Sequence, residues 1–198
     1  MRALAFFLLL SCISCSKDAR EKIHFSHNKE NLTEAPPGFP ALGFPEDNPF
    51  STEKWEFGKK LFFDPGLSLD FSISCASCHL PRMAFADDKA VSPGIENRKG
   101  KRNAMSLANV AYHPYFMREG GVKTLEMQVF APLEEHNEMG FNMVLLTERL
   151  ASDEAYNEMS RKAFGSGVSA FTITRALATF ERTLVSGNSR YDACIFQG

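Results

Sequence analysis

The sequence predicts an all-α fold, and three observations predict it. Apolar residues recur every three or four positions in several segments. Each of those segments is bounded by a residue that caps or breaks a helix. No segment alternates with period two over strand length, and no internal repeat is present. At 198 residues the chain has room for one domain of ordinary size and a leader.

The first fifteen residues read as an export signal. Arg2 gives a short positive start, and Ala3 to Leu10 is an apolar run. At about eight residues that run is far too short to span a bilayer. A small residue precedes both Cys12 and Cys15, as in bacterial lipoprotein signals whose cysteine is lipidated after cleavage. Cys15 is preferred over Cys12, because Ser16-Lys17-Asp18 then opens a polar stretch. Simple secretion with cleavage near Ser14 is the other reading. The chain is expected in the periplasm, anchored to a membrane through lipid. Residues 16–49 are polar and then rich in Pro and Gly, and they predict an extended linker. His24 and His27 lie in it and read as solvated side chains.

The folded domain is expected over 50–198. Trp55, Gly58, Leu61 and Phe62 define a helix that begins near Ser51 and stops at Asp64-Pro65-Gly66. Residues 86–102 carry charges with Pro93, Gly94 and Gly100 and read as a loop. Asn103 is expected to cap a helix through Leu107, Val110 and Ala111. Thr124 is expected to cap another through Leu125, Gln128 and Val129, ended by Pro132. Asn142 precedes a helix with Leu145, Leu146 and Leu150. Ser152 or Asp153 starts the next, and Gly165 stops it. Thr172 opens the last, with Ile173, Leu177, Phe180 and Leu184 on one face. Ser186 to Ser189 is a turn.

Composition narrows the function classes. A formal net charge of −2 suggests neither a nucleic-acid surface nor an acidic tail. Eighteen Phe against one Trp suit a core built around a large flat apolar ligand, or simply an ordinary core. Of the five cysteines, two lie in the leader and two in one short motif, which leaves only Cys194 and rules against a disulfide framework.

That motif is Cys75-Ala76-Ser77-Cys78-His79, and it occurs once. C-x-x-C-H is the attachment sequence of a c-type haem. Two thiols add to the two vinyl groups of one porphyrin, and the following imidazole binds iron from one face. Zinc would need four ligands, and no second Cys pair exists. A redox dithiol would want a βαβ setting, which the pattern lacks. The sixth iron position decides between electron carriage and an open face for peroxide or oxygen. Met83, Met105, Met117, Met127, Met139, Met143, His113 and His136 could each fill it. An open face needs a proton carrier to split peroxide. Glu126, Glu134, Glu135 and Glu138 are near in sequence, and spacing does not choose among them.

A set of ordered motifs does. Gly58-Lys59-Lys60-Leu61-Phe62-Phe63-Asp64-Pro65 is followed by the C-x-x-C-H run, then Ala84-Phe85-Ala86-Asp87, then Arg102-Asn103-Ala104. Next come Leu125-Glu126-x-Gln128, Ala131-Pro132, Asn137-Glu138-Met139 and Glu181-Arg182-Thr183-Leu184. Together they resemble the bacterial dihaem cytochrome c peroxidase and MauG family over residues 50–193. The resemblance implies a cytochrome c-like helical domain around one covalent haem, the peroxidatic one of the family's two. It implies His79 as the proximal ligand, Glu138 as the catalytic distal acid–base group, Gln128 as the distal amide, and Asn103 as a contributor to a calcium site. The activity implied is reduction of hydrogen peroxide to water with electrons from a small cytochrome or copper protein. The alternatives are a one-haem electron carrier and MauG-like oxidation of a protein substrate. Further partners on this reading are the second haem domain and a second copy of the chain, and no nucleic acid.

Three departures shape the expectations. Ile95 stands where some members carry a distal His that binds iron until activation, so no such His has to be displaced. Arg118 stands where many members have a Trp between the two haems. No second C-x-x-C-H follows Tyr191-Asp192, so the chain is expected to be truncated and to lack its electron-entry haem.

Overall fold

The computed structural model describes residues 31–196. Cys12, Cys15, His24 and His27 lie outside them. Among the described residues there are helices and turns and no strand, with three isolated bridges inside loops. The all-α expectation holds.

Two helices form the centre: α1 (Thr52–Phe63) and α7 (Ala170–Arg182). They cross closely because Gly58 has no side chain. A Cβ there would run into the Ala176 carbonyl. Phe62 and Phe180 meet with ring centroids 5.0 Å apart, and the Trp55 indole N–H donates to Thr183 Oγ1 at 2.9 Å. Ile173, Leu177, Phe180 and Leu184, the face expected from spacing, are all buried. Each fully buried side chain of this size contributes about 1.5–3 kcal/mol of transfer free energy.

Between them in sequence come α2 (Cys75–Cys78), α3 (Leu125–Gln128), α4 (Phe130–Glu134), α5 (Met143–Ala151) and α6 (Glu154–Phe164), with α8 (Arg190–Phe196) last. The α6 helix also packs against α1, and its Tyr156 hydroxyl donates to Asp64. Caps fall where short polar side chains were expected. Ser51 accepts from Lys54 N, Asn142 from Val144 N and Leu145 N, and Asp153 from Ala155 N. Gly165, at φ 74°, closes α6 in the left-handed conformation that glycine adopts freely.

The structure corrects several boundaries. No helix runs from Asn103 to Ala111; only the single 3-10 turn Val110–Tyr112 forms. Asn109, at φ 62°, breaks the run, and its side chain bonds the backbone of Ser186 instead. Pro132 does not end the helix after Thr124. The chain turns slightly at Val129 and continues as α4, where Pro132 sits near the start and needs no helical N–H partner. The last long helix starts two residues earlier than Thr172, at Ala170 behind a Ser169 cap, and Thr172 closes the capping box. Residues 31–49 are not a free tether. Leu32 and Asn48 are buried, and the Asn48 amide bonds Glu126 Oε1 at 3.0 Å and Thr179 Oγ1 at 3.2 Å.

That last contact belongs to a buried polar seam. Arg182 donates two bonds to Glu126, at 2.6 and 2.9 Å, with both side chains over nine-tenths buried. Burial works against an ionised Glu126, but the bonds from Arg182 and Asn48 outweigh it and hold the carboxyl below its ordinary value. The seam ties α3 to α7 and so fixes the helix that ends at Gln128.

Candidate functional site

The loops joining these helices enclose a cavity of about 330 Å³, within the range of small-molecule and cofactor sites. Cys75, Cys78, His79, Gln128 and Glu138 all line it. So does Asn103.

The wall bearing the C-x-x-C-H motif is built locally. Ser74 and Ser77 cap the one-turn helix α2 reciprocally, which sets Cys75 and Cys78 one turn apart. Burial pushes both thiols above their ordinary value, and the Glu181 charge adds to this at Cys75. Neither is therefore held as the thiolate that a redox dithiol needs. No group of three or more His, Cys, Asp or Glu side chains placed to hold a metal ion occurs among the described residues. His79 Nδ1 lies 2.9 Å from the Phe85 carbonyl. A carbonyl only accepts, so Nδ1 carries the proton and Nε2 keeps a free lone pair. This is the orienting bond usual for metal-bound imidazoles. The carbonyl is aimed by backbone strain: Ala84 and Phe85 both sit at positive φ, 54° and 57°. Leu107 N also donates to the Phe85 carbonyl, and the Ser106 hydroxyl bonds the Ala84 carbonyl at 2.6 Å. Burial pushes His79 below its ordinary value, against the opposing pull of the Phe85 bond.

The second wall comes from four separate segments, at 94–98, 116–118, 135–140 and the end of α3. Gln128 ends α3, and its amide Nε2 reaches Met117 Sδ at 3.8 Å. Glu138 sits in a tight loop between α4 and α5, with its N–H on the Glu135 carbonyl at 2.9 Å. The Glu138 carbonyl accepts from Ile95 N at 2.9 Å. Gly94 lies so close behind that a Cβ there would strike the Asn137 carbonyl. Burial raises Glu138 above its ordinary value, and the Glu135 charge raises it further.

Geometry separates candidates that spacing left equal. Glu126 is locked to Arg182, and Glu134 Oε1 accepts from Met143 N at 3.2 Å. Only Glu135 and Glu138 of the four reach the cavity. Among the eight candidate sixth ligands, Met105, Met117, Met139 and His113 line it, and Met83, Met127, Met143 and His136 do not. Ile95 is fully buried and offers no ligand atom.

Asn103 does not fit a calcium site in this structure. Its side-chain oxygen accepts from Arg118 at 2.6 Å, so a guanidinium already faces the atom a cation would need. Arg102 pairs with Glu119 beside it. Sequence reasoning missed two contributors, the Phe85 carbonyl and Glu181. Glu181 carried a signal: it follows Leu177 by four residues and so falls on the apolar face of α7.

Two thiols one turn apart, beside an imidazole with its outer nitrogen fixed, are the constellation of a c-type haem site on a helical domain. Comparison with known proteins agrees. The di-haem cytochrome c peroxidase family model matches residues 52–198, and the chain belongs to that family. It is 39% identical over 150 residues to the methylamine utilization protein MauG of Methylorubrum extorquens, covering 75% of this chain and 42% of that protein. It is 36% identical over 145 residues to the cytochrome c551 peroxidase of Nitrosomonas europaea, covering 73% and 43%. A crystal structure of a MauG-like protein associated with microbial copper homeostasis superposes with a TM-score of 0.76 at 34% identity, over 82% of this chain and 49% of that one. The chain thus spans a little under half the length of the curated relatives it matches.

Proposed function

We propose that this chain carries the peroxide-cleaving site of a haem peroxidase, reducing hydrogen peroxide to water with electrons from a small redox protein. The observation that carries the reading is the convergence of Gln128 and Glu138 on the cavity that also holds Cys75, Cys78 and His79. Cys75 and Cys78 would hold the haem through thioethers, and His79 Nε2 would ligate its iron. When bound, the haem supplies the redox-active iron at which the peroxide bond is split.

The protein's own work is on protons and position. Glu138 accepts the proton of one peroxide oxygen and returns it to the other, which leaves as water. Two electrons and two further protons complete the conversion of one peroxide to two waters. A carboxyl raised by burial suits this double role better than an ordinary one, because burial brings its ionised and protonated forms closer in free energy. Gln128 cannot ionise over this range, so its amide orients peroxide without competing for the proton. Ile95 leaves the distal side without the His that would have to move away.

A second reading, oxidation of a protein substrate, is supported by the likeness to MauG. It uses the same cavity and differs in where the oxidising equivalents go. The test is addition of peroxide to the haem-loaded chain with a reduced small-protein donor. Stoichiometric donor oxidation and peroxide loss are expected. A six-coordinate low-spin haem that consumes no peroxide would make the chain an electron carrier instead. For location, we propose export with lipidation at Cys15, so radiolabelled palmitate should be incorporated by C12A and not by C15A.

A further inference from the structure

Glu181 is a buried acid that the peroxide chemistry above does not use. It lies in the last turn of α7, in the cavity wall, one turn beyond Leu177, which lines the same wall. Only 6% of the residue is exposed, and its Oε2 is buried without a hydrogen-bond partner. A lone ionised carboxylate is costly in such a place. The nearest cation cannot neutralise it fully. Arg182 is the next residue, but both of its terminal nitrogens are committed to Glu126. Glu126, on α3, adds its own negative charge to the surroundings. From α2 the neighbour is Cys75, whose thiol would be consumed in a thioether. From α1 the groups at this end of α7 are the apolar rings of Trp55 and Phe62. The surroundings thus place one acid more than the cations can satisfy, and burial, eased by Arg182, pushes Glu181 up to about 8.

A carboxyl poised in this way responds to charge appearing in the same low-dielectric cavity. We propose that Glu181 is a redox-linked proton site, whose carboxylate takes a proton from solvent when the haem in this cavity gains an electron and releases it when that electron leaves. The inference rests on the haem reading of the cavity. The balance is simple. The donor, a small redox protein, supplies one electron, which lowers the positive charge at the iron. Solvent supplies one proton, which forms the O–H bond on Glu181 and cancels its negative charge. Oxidation reverses both transfers. The buried wall then keeps the same net charge before and after electron transfer. By linkage, a group that binds its proton more tightly in the reduced state makes reduction easier at low pH.

The haem-loaded protein should be titrated potentiometrically at a series of pH values. In the wild type the midpoint potential should fall as pH rises through the region around 8. The slope should approach, at most, about 59 mV for each tenfold change in proton activity. E181Q keeps the shape and removes the proton site, so its potential should be flat over that window. His79, His113, Glu135 and Glu138 also line the cavity, and E138Q serves as the control that should keep the slope. The visible spectrum reports haem attachment separately, so a failed haem reading is distinguished from a failed Glu181 reading. A slope unchanged in E181Q, or abolished in E138Q alone, overturns the proposal. If E181Q does not fold, reduced-minus-oxidised infrared spectra of wild type should show a protonated carboxyl gained on reduction. Absence of any such band, in protein with 13C-labelled glutamate as reference, overturns it equally.

Discussion

The two walls of the cavity are built on different principles. The wall with Cys75, Cys78 and His79 comes from five consecutive residues and a strained loop that returns Phe85 to them within six positions. The wall with Gln128 and Glu138 is gathered from loops at 94–98, 116–118 and 135–140 and from the end of α3. The first holds its geometry mainly through hydrogen bonds within residues 74–86, braced by Ser106 and Leu107. The second depends on packing between distant segments, above all the Gly94 contact and the Glu126–Arg182 seam. One wall should fail only when its own chemistry is removed. The other should fail when its neighbours are disturbed.

Attack on the local wall should give the largest effect. The double variant C75A/C78A should lose covalent haem altogether, read as the absence of haem colour on the denatured polypeptide. Retention of covalent haem would sink the attachment site.

Disturbing the seam should come next. R182M leaves Glu126 buried without its cation, and such broken pairs cost about 3–5 kcal/mol. Urea unfolding should show a midpoint lowered accordingly. E126Q/R182M, which removes both charges, should recover part of the loss. The seam also has a pH signature. Glu126 is held below its ordinary value in the folded state, so its stabilisation is full above the unfolded pKa and is lost as pH falls through the folded one. Acid unfolding of E126Q should therefore be shallower than that of wild type.

A smaller and more selective effect is expected from G94A. The added Cβ would strike the Asn137 carbonyl and push the Glu138 loop away. Covalent haem should stay at the wild-type level while peroxide turnover falls about tenfold or more, the scale on which small misplacements cost rate. Equal loss of haem and turnover would contradict the separation of the two walls. The smallest effect should be that of Q128A, a loss of up to about tenfold in turnover from one orienting hydrogen bond.

The same contrast explains what was legible in the sequence. The helices α1, α5 and α6 were readable because each combines a capping side chain with an apolar stripe, both local properties, and α7 was readable by its stripe but not by its Ser169 cap. Cys75, Cys78 and His79 were readable because their spacing is itself the chemistry. The stretch 103–111 was misread because Asn109 can cap a turn as readily as Asn103 can cap a helix, and its tertiary bond to Ser186 decided the outcome. Pro132 was misread because a proline in a helix's first turn lacks only an N–H that has no partner there. The packing of residues 31–49 was invisible because Asn48 is stabilised by partners 78 and 131 positions away. Glu138 could be chosen from four acids only through a family pattern, and the structure narrowed the four to two by a different route. The Arg118 bond to Asn103 could not be read from either residue alone.

The claim that the distal wall performs acid–base chemistry is tested most directly by E138Q. The measurement is the rate of peroxide loss in haem-loaded protein, with haem content checked by its visible spectrum. Glutamine keeps the shape and removes the ionisable oxygen. We expect normal haem content with turnover lowered by about 10²–10⁴, the usual contribution of a positioned acid–base group. The wild-type rate should also fall as pH drops through the raised Glu138 value, because the proton acceptor is then lost. Turnover in haem-replete E138Q equal to wild type would contradict the account.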